Sequence, residues 1–321
     1  MSSVSIPIPR TGRLRTYAAF VRLEHTLFSL PLILAGIFSA PAPAMSWRRW
    51  TLVVVAAVGA RTAAMALNRL IDRRIDALNP RTRGRELPSG TMRLGEAVAL
   101  LLVSTAAYLL ACAALGRWYL EVAAVPLAVF LIYPYLKRWT PLCHFGVGLA
   151  LALAPLAGYA AAHPRLDDPK PALWLAAFAL TWVSGFDIIY ATLDEDFDRG
   201  HGVHSMVAWL GRRRSLFISA ALHAAAFACA SSSRCSTWER GAGDERTRDL
   251  LQLAVATVGG AHLRARARRA RRAAVPRGQV GGGRRPRVLQ GERGGGFRGP
   301  GTRALVRVGM ANLTVVPGLA R

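Results

Sequence analysis

The chain has 321 residues, is 52% hydrophobic and has a mean hydropathy of +0.27. Long apolar runs separated by short charged loops predict an integral membrane protein and exclude an ordinary soluble globular domain. The net charge is +24, but no stretch interleaves aromatic with basic residues, so nucleic-acid binding is not expected.

Seven apolar segments follow one another, each close to the ~20 residues that a helix needs to span a bilayer. They cover residues 17–40, 50–70, 94–115, 118–136, 143–162, 171–191 and 213–230. Basic residues concentrate in the N-terminus and in the loops 69–93, 137–142 and 192–214, whereas the opposite loops carry few. The positive-inside rule therefore predicts that the N-terminus and these three loops are cytoplasmic.

The stretch from Arg61 to Gly90, RTAAMALNRLIDRRIDALNPRTRGRELPSG, begins as an apolar helix and ends as a charged loop. Asn68, Asp72 and Asp76 lie at positions i, i+4 and i+8. This spacing predicts that one helical face carries all three side chains.

A second acidic stretch, DIIYATLDEDFD, follows the sixth apolar segment and contains Asp187, Asp194 and Asp198. Steps of 7 and 4 residues at about 100° each predict that these carboxylates share a helical face to within about 40°. Both acidic sets end up on the predicted cytoplasmic side, so they are expected to face each other.

Charged side chains at membrane depth cost on the order of 2.5–3.5 kcal/mol each on insertion scales, so these carboxylates need partners. Carboxylates repel one another, and hard oxygen ligands select Mg²⁺, which also takes phosphate oxygens as ligands. Nearby arginines and Lys137 are cations suited to phosphate. The four cysteines have neither zinc-ligand nor CxxC spacing. The sequence therefore predicts a magnesium–diphosphate site at a membrane surface, with solvated loop charges as the alternative.

Four motifs in order resemble the UbiA superfamily of membrane prenyltransferases, namely RLEHTLFSLP, NRLIDRRID with RELPSG, YPYLKRWTPL and DIIYATLDEDFD. The first aspartate motif of that family reads roughly NDxxDxxxD, and here Arg69 replaces its second residue. The second is built around YAxxDxxxD, which Tyr190 to Asp198 match. The resemblance covers about residues 15–230 and implies an all-α, multi-helix transmembrane bundle.

The resemblance implies transfer of a polyprenyl group from a polyprenyl diphosphate to an aromatic acid in quinone biosynthesis, most simply 4-hydroxybenzoate. It also implies a bacterial-type inner membrane, with the site facing the cytoplasm. A hydroxynaphthoate acceptor on a menaquinone route is one alternative, and a transporter using intramembrane aspartates is another. The implied Mg²⁺ ligands are Asn68, Asp72, Asp76, Asp187, Asp194 and Asp198, of which Asp72, Asp76, Asp194 and Asp198 would be catalytic. The implied diphosphate contacts are Arg73, Arg85, Lys137 and Arg138, and the implied aromatic-acid contacts are Arg22 and Tyr190.

The composition changes after residue 230, where 19 arginines, no lysine and 16 of the 30 glycines occur. The chain is therefore divided into a cytoplasmic segment 1–15, a membrane-embedded prenyltransferase domain 16–230 and a tail 231–321. The nine-helix bundle usual in the resembling family would place two further helices in this tail. The arginine bias favours a tail read from a shifted frame of GC-rich DNA, and a basic disordered extension is the alternative.

Overall fold

The computed structural model describes residues 12–22, 26–41, 45–164 and 167–239. All of them belong to the first of two units, Met1–Ala274, and the second unit, Val275–Arg321, lies outside the described residues. From residue 240 onward, the predicted tail therefore lies outside the described part of the chain.

The described residues form helices and no strand, which confirms the prediction of an all-α transmembrane bundle. In chain order the helices are α1 Arg13–Phe20, α2 Thr26–Ser39, α3 Trp47–Leu78, α4 Leu94–Leu115, α5 Arg117–Val122, α6 Ala124–Leu136, α7 Cys143–Ala162, α8 Lys170–Ala191, α9 Glu195–Gly200, α10 Met206–Leu210 and α11 Arg212–Glu239. Within this part of the chain, six stretches are long and apolar enough to cross a membrane, namely Trp47–Leu78, Leu94–Leu115, Arg117–Leu136, Cys143–Ala162, Lys170–Ala191 and Arg212–Ser233.

The first apolar segment, residues 17–40, is not one spanning helix as predicted. Helix α1 ends at Phe20, and Arg22 has a φ of +52°. A right-handed helix needs a φ of about −60°, so the helix cannot continue through Arg22. The apolar part of α2, Ser29–Ser39, is consequently too short to count as a spanning helix.

The second acidic stretch also departs from the prediction, since its three aspartates do not lie on one helix. Helix α8 ends at Ala191, and Asp194 precedes the first residue of the short helix α9. The Thr192 hydroxyl donates to the carbonyl oxygen of Ile189 at 2.7 Å and so satisfies an acceptor in the last turn of α8. The assumption of a continuous 100° step between Asp187 and Asp198 was therefore wrong.

The last helix continues past the predicted end of the seventh segment, from Arg212 to Glu239. The hydroxyls of Ser231 and Ser232 donate to carbonyl oxygens one turn back, at 3.0 Å each. The buried Ser233 donates to the carbonyl oxygen of Pro171 in α8, also at 3.0 Å. Serine hydroxyls satisfied in this way do not terminate a helix, although their polarity suggested an end.

Glycines bring neighbouring helices into close contact. A Cβ atom added to Gly158 of α7 would overlap the carbonyl group of Ile33 in α2, and one on Gly36 of α2 would overlap Pro155 of α7. Gly148 of α7 lies equally close to α8. Because lipid tails are as apolar as leucine, such close packing replaces the hydrophobic effect as a source of association between membrane helices.

The ends of the helices place the motifs together. The loop after α3, the turn between α6 and α7 and the segment after α8 meet at one end of the bundle, where Lys137 contacts Asp72 and Arg81 contacts Asp194. At the other end, Arg48 of α3 donates to the carbonyl oxygen of Ala114 at the end of α4. The predicted cytoplasmic loops therefore share one end of the molecule.

Candidate active site

The first aspartate motif lies on the continuous helix α3. The Asn68 amide donates to Asp72 Oδ2 at 3.1 Å, and Lys137 Nζ lies 2.5 Å from the same oxygen. The Asp72 side chain is only 3% exposed, and its other oxygen, Oδ1, is buried without a hydrogen-bond partner among the described residues. One carboxylate oxygen is thus neutralised by a lysine from the turn after α6, and the second oxygen can still accept a hydrogen bond or bind a cation.

Asp76 lies one turn further along the same helix, where the RELPSG loop folds back over it. Arg85 Nη1 donates to both carboxylate oxygens of Asp76, at 2.8 and 2.7 Å. The buried Thr82 donates to the carbonyl oxygen of Asp76 at 3.0 Å and holds the start of this loop against the helix end. The loop thus supplies a cation directly beside the acidic face.

Asp194 of the second motif is held by residues that follow the first motif. Asn79 Nδ2 and Arg81 Nε donate to Asp194 Oδ1 at 3.0 and 2.7 Å, and the other end of the Arg81 guanidinium contacts Oδ2. Burial alone would raise the pKa of Asp194, but the hydrogen bonds from Arg81 and Asn79 outweigh it and place that pKa below its usual value. The two motifs are therefore joined by direct contacts.

Asp198 is buried within α9, near Ser205 and Asp194. Its burial raises the pKa of the carboxyl group to about 6, against a hydrogen bond from Ser205 that lowers it. Asp187, in α8, contacts His144 Nδ1 through Oδ2 at 2.7 Å. His144 was not predicted from sequence, where it looks like a lone polar residue at the start of an apolar segment.

The remaining predicted contacts are more peripheral. Arg73 and Arg138 are exposed, and each donates to a carbonyl oxygen of α3, at 3.4 and 3.0 Å respectively. Tyr190 is half-buried with its ring 5.4 Å from that of Phe186. Arg22 is half-buried after the end of α1 and does not line the cavity described next.

A cavity of about 370 Å³ is lined by residues of α2 to α7 together with Val183 of α8, and its walls are mainly apolar. Arg61 of α3 is the only arginine among the described residues that line it, and its Nε is buried without a hydrogen-bond partner among them. Arg61 and Asp72 are eleven residues apart, which is three turns plus about 20°, so they lie on the same face of α3. Sequence reasoning missed Arg61 because it was taken only as the start of the charged stretch.

The donor set fits Mg²⁺ rather than a softer metal, because it consists of carboxylate and amide oxygens. Asp72 Oδ1 is a buried acceptor without a partner among the described residues, and a cation would satisfy it. Within the same residues, however, no three acidic, histidine or cysteine side chains are grouped as metal ligands. The carboxylates of Asp72, Asp76 and Asp194 are instead paired with Lys137, Arg85 and Arg81.

Fold and site together define an integral membrane protein with paired aspartate motifs at one end of a helical bundle. The sequence profile of the UbiA prenyltransferase family matches residues 29–241, and the chain belongs to that family. The 4-hydroxybenzoate octaprenyltransferases of Marinomonas sp. (strain MWYL1) and Vibrio parahaemolyticus are 30% and 27% identical to it over 208 and 207 residues. These alignments cover 63% and 64% of this chain, and 72% of each relative.

Solved structures show the same fold. The apo structure of a UbiA homolog from Aeropyrum pernix K1 is 31% identical, with a TM-score of 0.65, and the match covers 75% of this chain and 98% of that one. A UbiA homolog from Archaeoglobus fulgidus, bound to GPP and Mg²⁺, is 19% identical with a TM-score of 0.61, covering 79% of this chain and 88% of that one.

Proposed function

We propose that this protein transfers a polyprenyl group from a polyprenyl diphosphate to an aromatic acid, most simply 4-hydroxybenzoate, in quinone biosynthesis. The observation that carries the proposal is the junction of the two aspartate motifs, where Asp194 is bound by Asn79 and Arg81 and Asp72 by Lys137. Several carboxylates and several cations thus meet at one end of the bundle, and the apolar cavity lies towards the start of the same helix, α3. The charged groups would bind a diphosphate together with a metal ion, and the apolar cavity would hold a prenyl chain.

The relatives support the substrate classes. Two are named 4-hydroxybenzoate octaprenyltransferase, and the Archaeoglobus fulgidus homolog was solved with a prenyl diphosphate and Mg²⁺. We extend both to this chain as part of the proposal. We further propose an inner membrane location in a bacterial-type cell with the site facing the cytoplasm, because the basic loops share the site's end of the bundle.

On the donor side, Mg²⁺ would be held by Asp72, Asp76, Asp194 and Asp198, assisted by Asn68 and Asp187. When bound, it would neutralise the diphosphate as the bond between the prenyl carbon and oxygen breaks. Lys137 and Arg85 lie beside these carboxylates and are placed to stabilise the negative charge of the departing diphosphate. The more exposed Arg73 and Arg138 would add charge at the rim of the site.

On the acceptor side, the cavity excludes water from the allylic cation left by the diphosphate. The cation forms a carbon–carbon bond with the aromatic ring, and the ring then loses a proton. Arg61 would bind the acid's carboxylate, since its half-buried guanidinium stands in an apolar wall and its buried Nε has no hydrogen-bond partner among the described residues. The sequence prediction for this role, Arg22, lies outside the cavity wall, so Arg61 is the stronger candidate.

The decisive experiment is incorporation of a labelled polyprenyl diphosphate into 4-hydroxybenzoate by the purified protein. We expect transfer that requires Mg²⁺ and is abolished in Asp72→Asn and Asp194→Asn, because each change removes a ligating charge while keeping the side-chain size. Asp196→Asn is a matched control, since Asp196 is an exposed carboxylate in the same short helix as Asp198. Full activity in either of the first two variants would refute the two-motif site.

The same assay separates the alternatives. A hydroxynaphthoate offered in competition with 4-hydroxybenzoate identifies the preferred acceptor. If neither acid is prenylated in the presence of Mg²⁺, the enzyme proposal fails and the membrane transporter would have to be tested instead.

A further inference from the structure

His144 uses both nitrogens of its ring although it is only 2% exposed. Nδ1 lies 2.7 Å from Asp187 Oδ2, and the backbone N–H of Met206 donates to Nε2 at 3.2 Å. A backbone N–H can only donate, so Nε2 must carry a lone pair rather than a proton. Nδ1 is then the nitrogen that donates to Asp187.

These two bonds join three separate elements. His144 is the second residue of α7, Asp187 belongs to α8, and Met206 begins α10. Met206 is buried and packs with Ile188 of α8, so the connection is also filled by apolar contacts. A single imidazole thus fixes the relative positions of two spanning helices and the start of α10.

The segment between Asp198 and Met206 is attached to the same place by further bonds. Cys143 Sγ donates to the carbonyl oxygen of His204 at 3.3 Å, and the N–H of His204 donates to the carbonyl oxygen of Lys137 at 2.7 Å. Lys137 in turn pairs with Asp72. The end of the second motif is consequently bound to the turn that carries the lysine of the first.

We propose that His144 is a positioning residue for the second aspartate motif, which orients the Asp187 carboxylate and holds the segment from Asp198 to Met206 against α7. The inference rests on the proposed function, since it gives Asp187 a role at the site. The bond to Oδ2 fixes the direction of the remaining oxygen, and such outer partners of a ligating carboxylate typically change metal affinity or activity by about 10- to 100-fold when removed.

The test compares His144→Phe, His144→Asn and Tyr159→Phe. Phenylalanine keeps the ring but removes both bonds, whereas the asparagine amide can replace the Nδ1–H that donates to Asp187. Tyr159→Phe is the matched control, because Tyr159 is buried in the same helix, and its hydroxyl donates to the carbonyl oxygen of Asp167, 2.6 Å away, at the far end of the bundle. Unfolding temperatures in detergent are measured for all three variants.

We expect kcat to fall about 10- to 100-fold in His144→Phe. The Mg²⁺ concentration for half-maximal rate should rise, while KM for the aromatic acid is unchanged. His144→Asn should recover part of the loss, and Tyr159→Phe should lower only the unfolding temperature. Unchanged kcat and Mg²⁺ dependence in His144→Phe would overturn the proposal. An asparagine variant that folds but is as slow as the phenylalanine variant would overturn the orienting role of the bond to Asp187.

A second measurement needs no substrate. Trypsin cleavage after the exposed Arg199 should be faster in His144→Phe than in the wild type or in Tyr159→Phe. Equal cleavage rates would refute the holding of this segment. If cleavage accelerates but the wild type transfers no prenyl group, the proposed function fails while the structural role of His144 stands.

Discussion

Replacing Arg61 by methionine tests the acceptor site most directly. Methionine has an unbranched, flexible side chain that can fill much of the same space in an apolar wall. A hydrogen bond to a charged group is worth about 1.5–3 kcal/mol, so losing it should raise KM for 4-hydroxybenzoate about 10- to 150-fold. Removing the guanidinium also removes a half-buried charge, and a charge at membrane depth costs about 2.5–3.5 kcal/mol on insertion scales, so the variant should unfold at the same temperature or higher.

The assay is steady-state prenyl transfer in detergent, with each substrate varied in turn. KM for the polyprenyl diphosphate should stay within about twofold of the wild type, because Arg61 lies three turns of helix from Asp72. Arg22→Ala is measured in parallel, and the methyl ester of the acid serves as an uncharged acceptor. The reasoning is refuted if Arg61→Met affects the ester as strongly as the acid. It is also refuted if only Arg22→Ala raises KM for the acid.

Three further predictions concern helix packing, the orientation of the loops and the tail. Gly158→Ala should lower the free energy of unfolding by about 1–3 kcal/mol, because the added methyl group overlaps the backbone of α2. Gly95→Ala should not lower it, because no atom lies near the added methyl group, and denaturation of both variants in detergent tests the difference. Cysteine labelling should place loops 69–93 and 192–212 on the same, cytoplasmic side, and labelling from opposite sides would contradict a shared site. If residues 231–321 come from a shifted frame, another frame of the same DNA should encode two apolar stretches of about 20 residues, and sequencing the locus tests this.

The first motif was predictable because its geometry is local. Asn68, Asp72 and Asp76 lie on one continuous helix, so their spacing in the sequence determines their shared face. The geometry of the second motif was not predictable in this way, because its helix ends at Ala191 and the chain turns before Asp194. The 100° spacing of side chains applies only within one continuous helix, and the sequence carries no strong signal that the helix ends at Ala191.

The partners of the carboxylates were beyond sequence reasoning for a different reason. Repulsion among aspartates suggested a metal ion alone, whereas Asp72 and Asp194 pair with Lys137 and Arg81, which lie 65 and 113 residues away in the chain. His144 has its two partners at separations of 43 and 62 residues. Such contacts depend on how whole helices pack, which a residue pattern within one segment does not contain.

The continuity of α3 constrains which insertions and deletions this protein can tolerate as it evolves. Arg61 and Asp72 share a face only because eleven residues separate them, and inserting or deleting one residue would rotate one side chain away from the other by about 100°. Length changes between these two positions would therefore uncouple the cavity from the acidic site. New acceptor preferences would have to arise by substitution along the cavity wall.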